Sequence, residues 1–273
     1  MPVQYENQHV TVFQSELYQT TSTVAVTKDI ILITDPTWLP GEIEAIRQHV
    51  DKHDNGQRKY LLFTHSDFDH ILGWKAFPDA VTIASRGFTA KSGREDILQD
   101  IHDFDESYYI QRPYPVEYPS IDIIIDHDEQ TMEIGNTSVS FYLAPGHQAD
   151  GVFAVLPGPG ILIAGDYASD VEFPFIHHDS RAYERTLNKL EEVMDENTIN
   201  LFVPGHGTCT ADGAEIRKRI RDSRWYIQTL RDEIRHQQSS EVLGAFVDSY
   251  SFSRYLGEEH ENNKAQIEKE RRA

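Results

Sequence analysis

The run His65-Ser66-Asp67-Phe68-Asp69-His70 places four side chains able to hold a metal ion within six residues. Their spacing is i, i+2, i+4 and i+5. A strand that runs into a tight turn and a helix start would point His65 and Asp67 one way and Asp69 and His70 another, which makes two metal ions natural. Neutral imidazole and carboxylate suit zinc, manganese or iron, whereas calcium takes oxygen ligands almost exclusively. Three more residues of this chemistry end short apolar runs. His147 follows Phe141-Tyr142-Leu143-Ala144-Pro145-Gly146, Asp166 follows Ile161-Leu162-Ile163-Ala164-Gly165, and His206 follows Leu201-Phe202-Val203-Pro204-Gly205. The run Leu61-Leu62-Phe63-Thr64 likewise stops at His65. Buried strands that each deliver one such side chain would bring all of them to a common edge of a sheet or sandwich. The glycine before His147, Asp166 and His206 lets the backbone turn sharply and leaves room beside the side chain.

The elements that must do this positioning show as β-branched and apolar patches. Residues 10–17, 22–26, 30–34, 59–63, 81–84, 121–125 and 201–203 read as strands. Residues 132–134 and 137–144 flank Gly135-Asn136, a two-residue hairpin signal, and 152–156 and 161–164 form a second hairpin through Pro157-Gly158-Pro159-Gly160. Residues 40–50 and 69–77 read as short helices. Tyr183, Leu187, Leu190 and Met194 recur at helical spacing, as do Ile216, Ile220, Ile227, Leu230 and Ile234 after Asp212, an N-cap with Glu215 three residues on. Residues 240–256 read as one more helix and 259–273 as a charged, frayed tail. Residues 86–118 are polar, aromatic and irregular, as in an insertion or lid. Strands punctuated by helices predict layers of both.

The chain has 273 residues, enough for one substantial core. Its 25 basic and 45 acidic residues give 25 − 45 = −20, a surface that repels a phosphate backbone, so non-specific nucleic-acid binding is disfavoured. The start, Met1-Pro2-Val3-Gln4-Tyr5-Glu6-Asn7, lacks the basic and apolar stretches of a secretory signal, and no apolar run approaches the ~20 residues that span a bilayer. The expectation is a cytoplasmic protein without membrane contact. Cys209 is the only cysteine, so an internal disulfide and a cysteine-only zinc site are both excluded.

Thr64-His65-Ser66-Asp67-Phe68-Asp69-His70, Pro145-Gly146-His147, Gly165-Asp166 and Pro204-Gly205-His206-Gly207 resemble, in order and approximate spacing, the motifs of the metallo-β-lactamase-fold hydrolase superfamily. The strand ending Ile30-Ile31-Leu32-Ile33-Thr34-Asp35 resembles that family's early strand with its structural Asp. The resemblance implies an α/β (α+β) fold, a four-layer αββα sandwich. It would comprise residues 1–211 with the lid at about 86–118, and residues 212–273 would be a helical extension packed on the same domain. It also implies that His65, Asp67 and His147 hold one divalent ion, that Asp69, His70 and His206 hold a second, and that Asp166 bridges them. The superfamily commonly has His where this chain has Asp67. Flavodiiron proteins carry Glu at the similar position, and the related domains of competence DNA-uptake proteins carry Asp. Zinc is the first expectation, and Asp67 makes manganese or iron more credible. Paired cations about 3.5–4 Å apart generate a hydroxide near neutral pH, with Asp69 orienting it and accepting its proton.

Around this set, Asp35 reads as a buttress for the loop carrying His65 to His70. Tyr167 either donates to a leaving group or packs under the loop, the latter being simpler. His177 and His178 follow the bridging Asp in a segment where the family recruits substrate contacts. Arg86 could hold an anionic substrate or be a solvated charge. The Ile216 to Ile234 stripe is packing surface and a candidate dimer face. The leading expectation is hydrolysis of a small ester-like substrate such as a lactone or thioester, with phosphodiester cleavage second. A di-iron redox protein and a non-catalytic small-molecule sensor are the readings of other classes.

Overall fold

The computed structural model describes residues 1–272. Alternation at period two decides its layers. In β4 (Ile30–Thr34), Ile30 and Leu32 face one apolar cluster, while Ile31 and Ile33 face another on the opposite side. That strand lies within a sheet ordered β1 (Val3–Glu6), β2 (Val10–Gln14), β3 (Thr21–Val26), β4, β5 (Arg58–Leu62), β6 (Val81–Ser85) and β7 (Ile123–Ile125). Pairing is antiparallel from β1 to β4 and parallel from β4 to β7. The second sheet runs β12 (Leu201–Val203), β11 (Ile161–Ile163), β10 (Val152–Leu156), β9 (Thr137–Leu143) and β8 (Gln130–Ile134), antiparallel except for β11 with β12.

The inner faces meet in a cluster that includes Val12, Leu32 and Leu62 from the first sheet and Phe141, Ala154, Ile163 and Val203 from the second. Outside the first sheet, Ile31, Ile33 and Leu61 pack with α1 (Pro40–His53), α2 (Phe68–Ile71) and α4 (Arg94–Ser107) through Ile43, Ile71 and Ile101, and α3 (Arg86–Thr89) adds Phe88. Outside the second sheet, Phe153, Leu162 and Phe202 pack with α5 (Ser180–Glu196), α6 (Gly213–His236), α7 (Glu241–Asp248) and α8 (Ser253–Arg272). The result is the αββα sandwich with C-terminal helices. No helix of the described residues is long and apolar enough to cross a membrane.

The differences from the sequence reading include three helical segments. Residues 86–118 are not wholly irregular, because Ile97, Leu98, Ile101 and Phe104 give α4 an apolar face against the first sheet's outer cluster. Residues 240–256 are not one helix but α7 and the start of α8. The expected frayed tail is α8 itself. Its buried face carries only Leu256 and Ile267 as apolar anchors, with Glu259 and Asn263 buried between them, so apolar periodicity could not reveal it.

Those polar residues do specific work. Asn263 is fully buried; its Oδ1 accepts from the Ile176 amide at 2.7 Å, and its Nδ2 donates to the Pro174 carbonyl at 2.6 Å and the Tyr226 hydroxyl at 3.0 Å. Gln266 donates to the His178 carbonyl at 2.6 Å, and Glu270 accepts from the Ser180 amide at 2.8 Å. The segment leading from β11 to α5 is thereby pinned from outside. Replacing Asn263 by Ala strands buried backbone groups of that segment and should cost on the order of 2–4 kcal/mol. A chemical-denaturation midpoint unchanged from that of the parent would show that α8 does not stabilise it.

Candidate metal centre

The ligand-type side chains come from the segments that follow four strands. His65 and Asp67 lie in the loop from β5 into α2, and Asp69 and His70 lie on α2 itself; His147 follows β9, Asp166 follows β11, and His206 follows β12. Two glycines make the approach feasible. Gly146 turns at φ 141° where a Cβ would strike the Tyr183 backbone, and a Cβ on Gly205 would overlap the Asp166 carboxylate.

The imidazoles are oriented by what holds their outer nitrogens. Asp35, just past β4, accepts from the Thr64 amide at 2.9 Å, the Thr64 hydroxyl at 2.5 Å and His70 Nδ1 at 3.0 Å. Because the Thr64 hydroxyl gives its proton to Asp35, its oxygen accepts from His65 Nδ1 at 3.0 Å. His147 Nδ1 donates to the Phe175 carbonyl at 2.9 Å, and His206 Nδ1 donates to the Tyr18 carbonyl at 2.8 Å. All four Nδ1 atoms are thus committed as donors, so all four neutral rings present Nε2 as a lone pair.

These lone pairs converge. His65, Asp67, His147 and Asp166 form one cluster whose ligand atoms lie within 4.8 Å of one another, and Asp69, His70 and His206 form a second. Asp166 spans both: its Oδ2 lies 3.4 Å from His65 Nε2, 3.2 Å from His147 Nε2 and 3.4 Å from His206 Nε2, and its Oδ1 lies 3.3 Å from His70 Nε2. His70 and His206 bring two Nε2 atoms to 3.4 Å of each other, close enough for both to face one cation once His206 is neutral. His65 Nε2 and Asp166 Oδ1 are buried without a hydrogen-bond partner, a cost that a metal ion would remove. The residues present therefore fit two cations, each offered two imidazoles and two carboxylates. Asp67 Oδ2 sits 3.0 Å from His147 Nε2, while its Oδ1 accepts from Gln148 at 2.5 Å; Asp69 Oδ2 accepts from Thr20 at 3.1 Å.

Burial opposes charge here, yet the mutual attractions win. Desolvation would lower His65, His147 and His206, but Asp166, with Asp67 or with Glu172 and Asp69, holds all three above the usual histidine range. Asp166 is held well below the carboxylate range by the surrounding histidines, His206, His65 and His70 foremost, despite its burial. Glu172, which sequence reasoning missed because it stands outside any motif, lies 3.8 Å from His206 Nδ1 and is pushed by burial up to about 7. Gln148 and Thr20 were also missed. Nothing distinguishes them in sequence beyond the neighbour of His147 and the start of a strand.

The proposed substrate contacts separate. His177 reaches the first cluster: its Nδ1 is 3.8 Å from Asp67 Oδ2, its ring centroid is 5.0 Å from that of His147, and its Nε2 is 3.4 Å from Glu259 of α8. His178 is exposed and engages the structure through its backbone. Arg86 is 61% exposed and ion-paired with Asp126, away from both clusters. Tyr167 is buried, accepts from the His147 amide at 3.0 Å and donates to the Ala144 carbonyl at 3.1 Å, so it braces the His147 turn.

Two outcomes follow from this anchoring. Asp35→Asn loses an acceptor shared by Thr64 and His70 and should weaken metal affinity by about 10–100-fold; equal affinity by competition with a chromogenic chelator would refute the anchoring. Ligation requires neutral imidazole, whereas the metal-free protein keeps His65, His147 and His206 protonated past the ordinary histidine pKa of about 6.5. Loading should release protons, and affinity should keep rising with pH above that value. Calorimetry in buffers of different ionisation enthalpy that detects no proton release would contradict this.

The sequence family described as Metallo-beta-lactamase superfamily matches residues 17–206. No curated protein sequence matches the chain. Among solved structures, it is similar to the stereoselective inverting sec-alkylsulfatase Pisa1 from Pseudomonas sp., with TM-score 0.66 and 14% identity over 84% of this chain and 43% of that one. The chain therefore spans less than half of the sulfatase's length. It is also similar to a metallo-beta-lactamase family protein from Thermus thermophilus, with TM-score 0.64 and 15% identity over 93% and 92% of the two chains. A metallo-beta-lactamase from Pontibacter korlensis gives TM-score 0.56 and 17% identity over 81% and 97%. At these identities the structures establish a shared fold, while the family match takes in both ligand clusters: the chain belongs to the metallo-beta-lactamase superfamily.

Proposed function

We propose that this chain is a dinuclear metal-dependent hydrolase of a small ester-like substrate, a lactone, thioester or related carbonyl compound. The observation that carries the reading is the convergence of four Nε2 lone pairs on a single carboxylate, Asp166, with buried atoms left unpartnered. Bound there, two divalent cations would acidify a water molecule and polarise the attacked carbonyl. His65, Asp67 and His147 would hold one, Asp69, His70 and His206 the other, and Asp166 both. Asp69 would orient the attacking oxygen and take its proton, a role supported by the Thr20 hydrogen bond to its Oδ2 and the Thr37 hydroxyl on its backbone carbonyl. The cation considered for an anionic substrate, the Arg86 guanidinium, is engaged by Asp126; this supports a carbonyl substrate over a phosphodiester. Zinc is the favoured occupant, and the oxygen donor of Asp67 also supports manganese or iron.

The test is turnover by metal-reconstituted protein on aryl esters, thioesters and lactones beside bis-p-nitrophenyl phosphate. Carbonyl substrates should be cleaved, and His206→Ala should lose on the order of 100-fold or more in kcat/KM together with one metal equivalent. Cleavage of the phosphodiester alone would overturn the substrate reading, and two irons with oxygen consumption would replace hydrolysis by redox chemistry.

A further inference from the structure

Resting on the hydrolase reading, we infer that an aromatic cavity beside His206 binds an uncharged apolar substituent of the substrate, an alkyl chain or aryl ring. The cavity is a half-open cleft of about 510 Å³, within the range of small-molecule sites, and Tyr18, Phe104, Tyr108, Phe252, Tyr255 and Leu256 line it. Distant parts of the chain build it, among them the loop between β2 and β3, the end of α4, the segment after β11 and the junction of α7 with α8. It adjoins the second cluster through shared walls. The Tyr18 carbonyl receives the His206 Nδ1 proton, and Glu172, also on the cavity, lies 3.8 Å from that nitrogen.

Exposure singles this surface out. Of the eight large apolar or aromatic side chains exposed among the described residues, Tyr18, Tyr108, Phe252 and Tyr255 all converge here. Lone exposed hydrophobes are ordinary, but four gathered in one concavity are a binding surface. They are held as a wall: the rings of Tyr18 and Tyr255 lie 5.5 Å apart and those of Phe104 and Tyr108 4.5 Å apart. Tyr18 and Gln19 both adopt left-handed backbone, at φ 53° and 50°, a strain that is maintained where the Tyr18 carbonyl meets His206.

Charge sets the class of occupant. No lysine or arginine is among the described lining residues, and the acidic ones are Glu16 and Glu172. The neighbouring cavity holds Lys218 and Arg219, but Asp222 at 2.9 Å and Glu215 at 3.2 Å take up those charges. A sulfate, phosphate or carboxylate would meet carboxylates and no free cation, whereas an alkyl or aryl group would gain by leaving water.

The experiment uses p-nitrophenyl esters from acetate to octanoate with the metal-loaded protein. In the parent, kcat/KM should rise up to about fourfold per added methylene until the cavity fills. In Phe252→Ala/Tyr255→Ala the octanoate-to-acetate ratio should fall at least about tenfold, and Tyr108→Ala, on a different element, should lower it in the same sense. A readout independent of turnover is the binding of 2-decanone against 2-butanone to the metal-free protein, followed by intrinsic fluorescence. The parent should prefer 2-decanone, and the double variant should lose that preference. Ester turnover with neither chain-length dependence nor ketone preference overturns the cavity and leaves the hydrolase standing. Ketone preference lost in the variant, with no turnover of any ester, upholds the cavity and removes the hydrolase.

Discussion

Each of four histidine rings in this protein commits its Nδ1 proton to a fixed acceptor, and the rest of the site depends on that constraint. Thr64, Asp35, the Phe175 carbonyl and the Tyr18 carbonyl are the four acceptors. A neutral imidazole so anchored has one tautomer and one direction for its remaining lone pair. Asp35 is the hinge of the scheme, because it takes the Thr64 hydroxyl proton, which frees that oxygen for His65, and also receives His70 directly. One carboxylate thus sets a ring on each side of the centre.

The sandwich exists in the form it does because those acceptors must come from separate places. Asp35 ends β4, Thr64 ends the β5 run, Tyr18 lies between β2 and β3, and Phe175 lies between β11 and α5. Two sheets packed through Leu32, Leu62, Phe141 and Val203 hold these points in register. The stretch carrying Phe175 and His177 has no strand or helix of its own and takes its rigidity from α8 through Asn263, Gln266 and Glu270. The C-terminal helix therefore acts on the centre at one remove, through the carbonyl that orients His147 and through Glu259 against His177.

Much of this was legible in the residues and some was not, for identifiable reasons. Strands such as Ile30–Thr34 and Leu201–Val203 announce themselves by β-branched and apolar composition, and the ligands end those runs, so their convergence could be read from order alone. The helix α8 escaped because its buried face is built from Glu259 and Asn263, whose burial is offset by hydrogen bonds rather than by apolar contact. The helix α4 escaped because its apolar residues are diluted among acidic ones. Glu172 and the Tyr18 carbonyl could not be found: the first sits in no motif, and the second is a backbone atom whose direction depends on two consecutive left-handed residues.

The substitution of a carboxylate at position 67 gives the two clusters the same donor set, two imidazoles and two carboxylates each when Asp166 is counted in both. Such a set, buried and short of hydrogen bonds, would suit a pair of divalent cations. The most direct test is diffraction at the metal absorption edges from crystals of the reconstituted protein. The account predicts two anomalous peaks flanking Asp166, each against two Nε2 atoms, with every Nδ1 still turned outward; peaks lying elsewhere, or a ring bound through Nδ1, would contradict it.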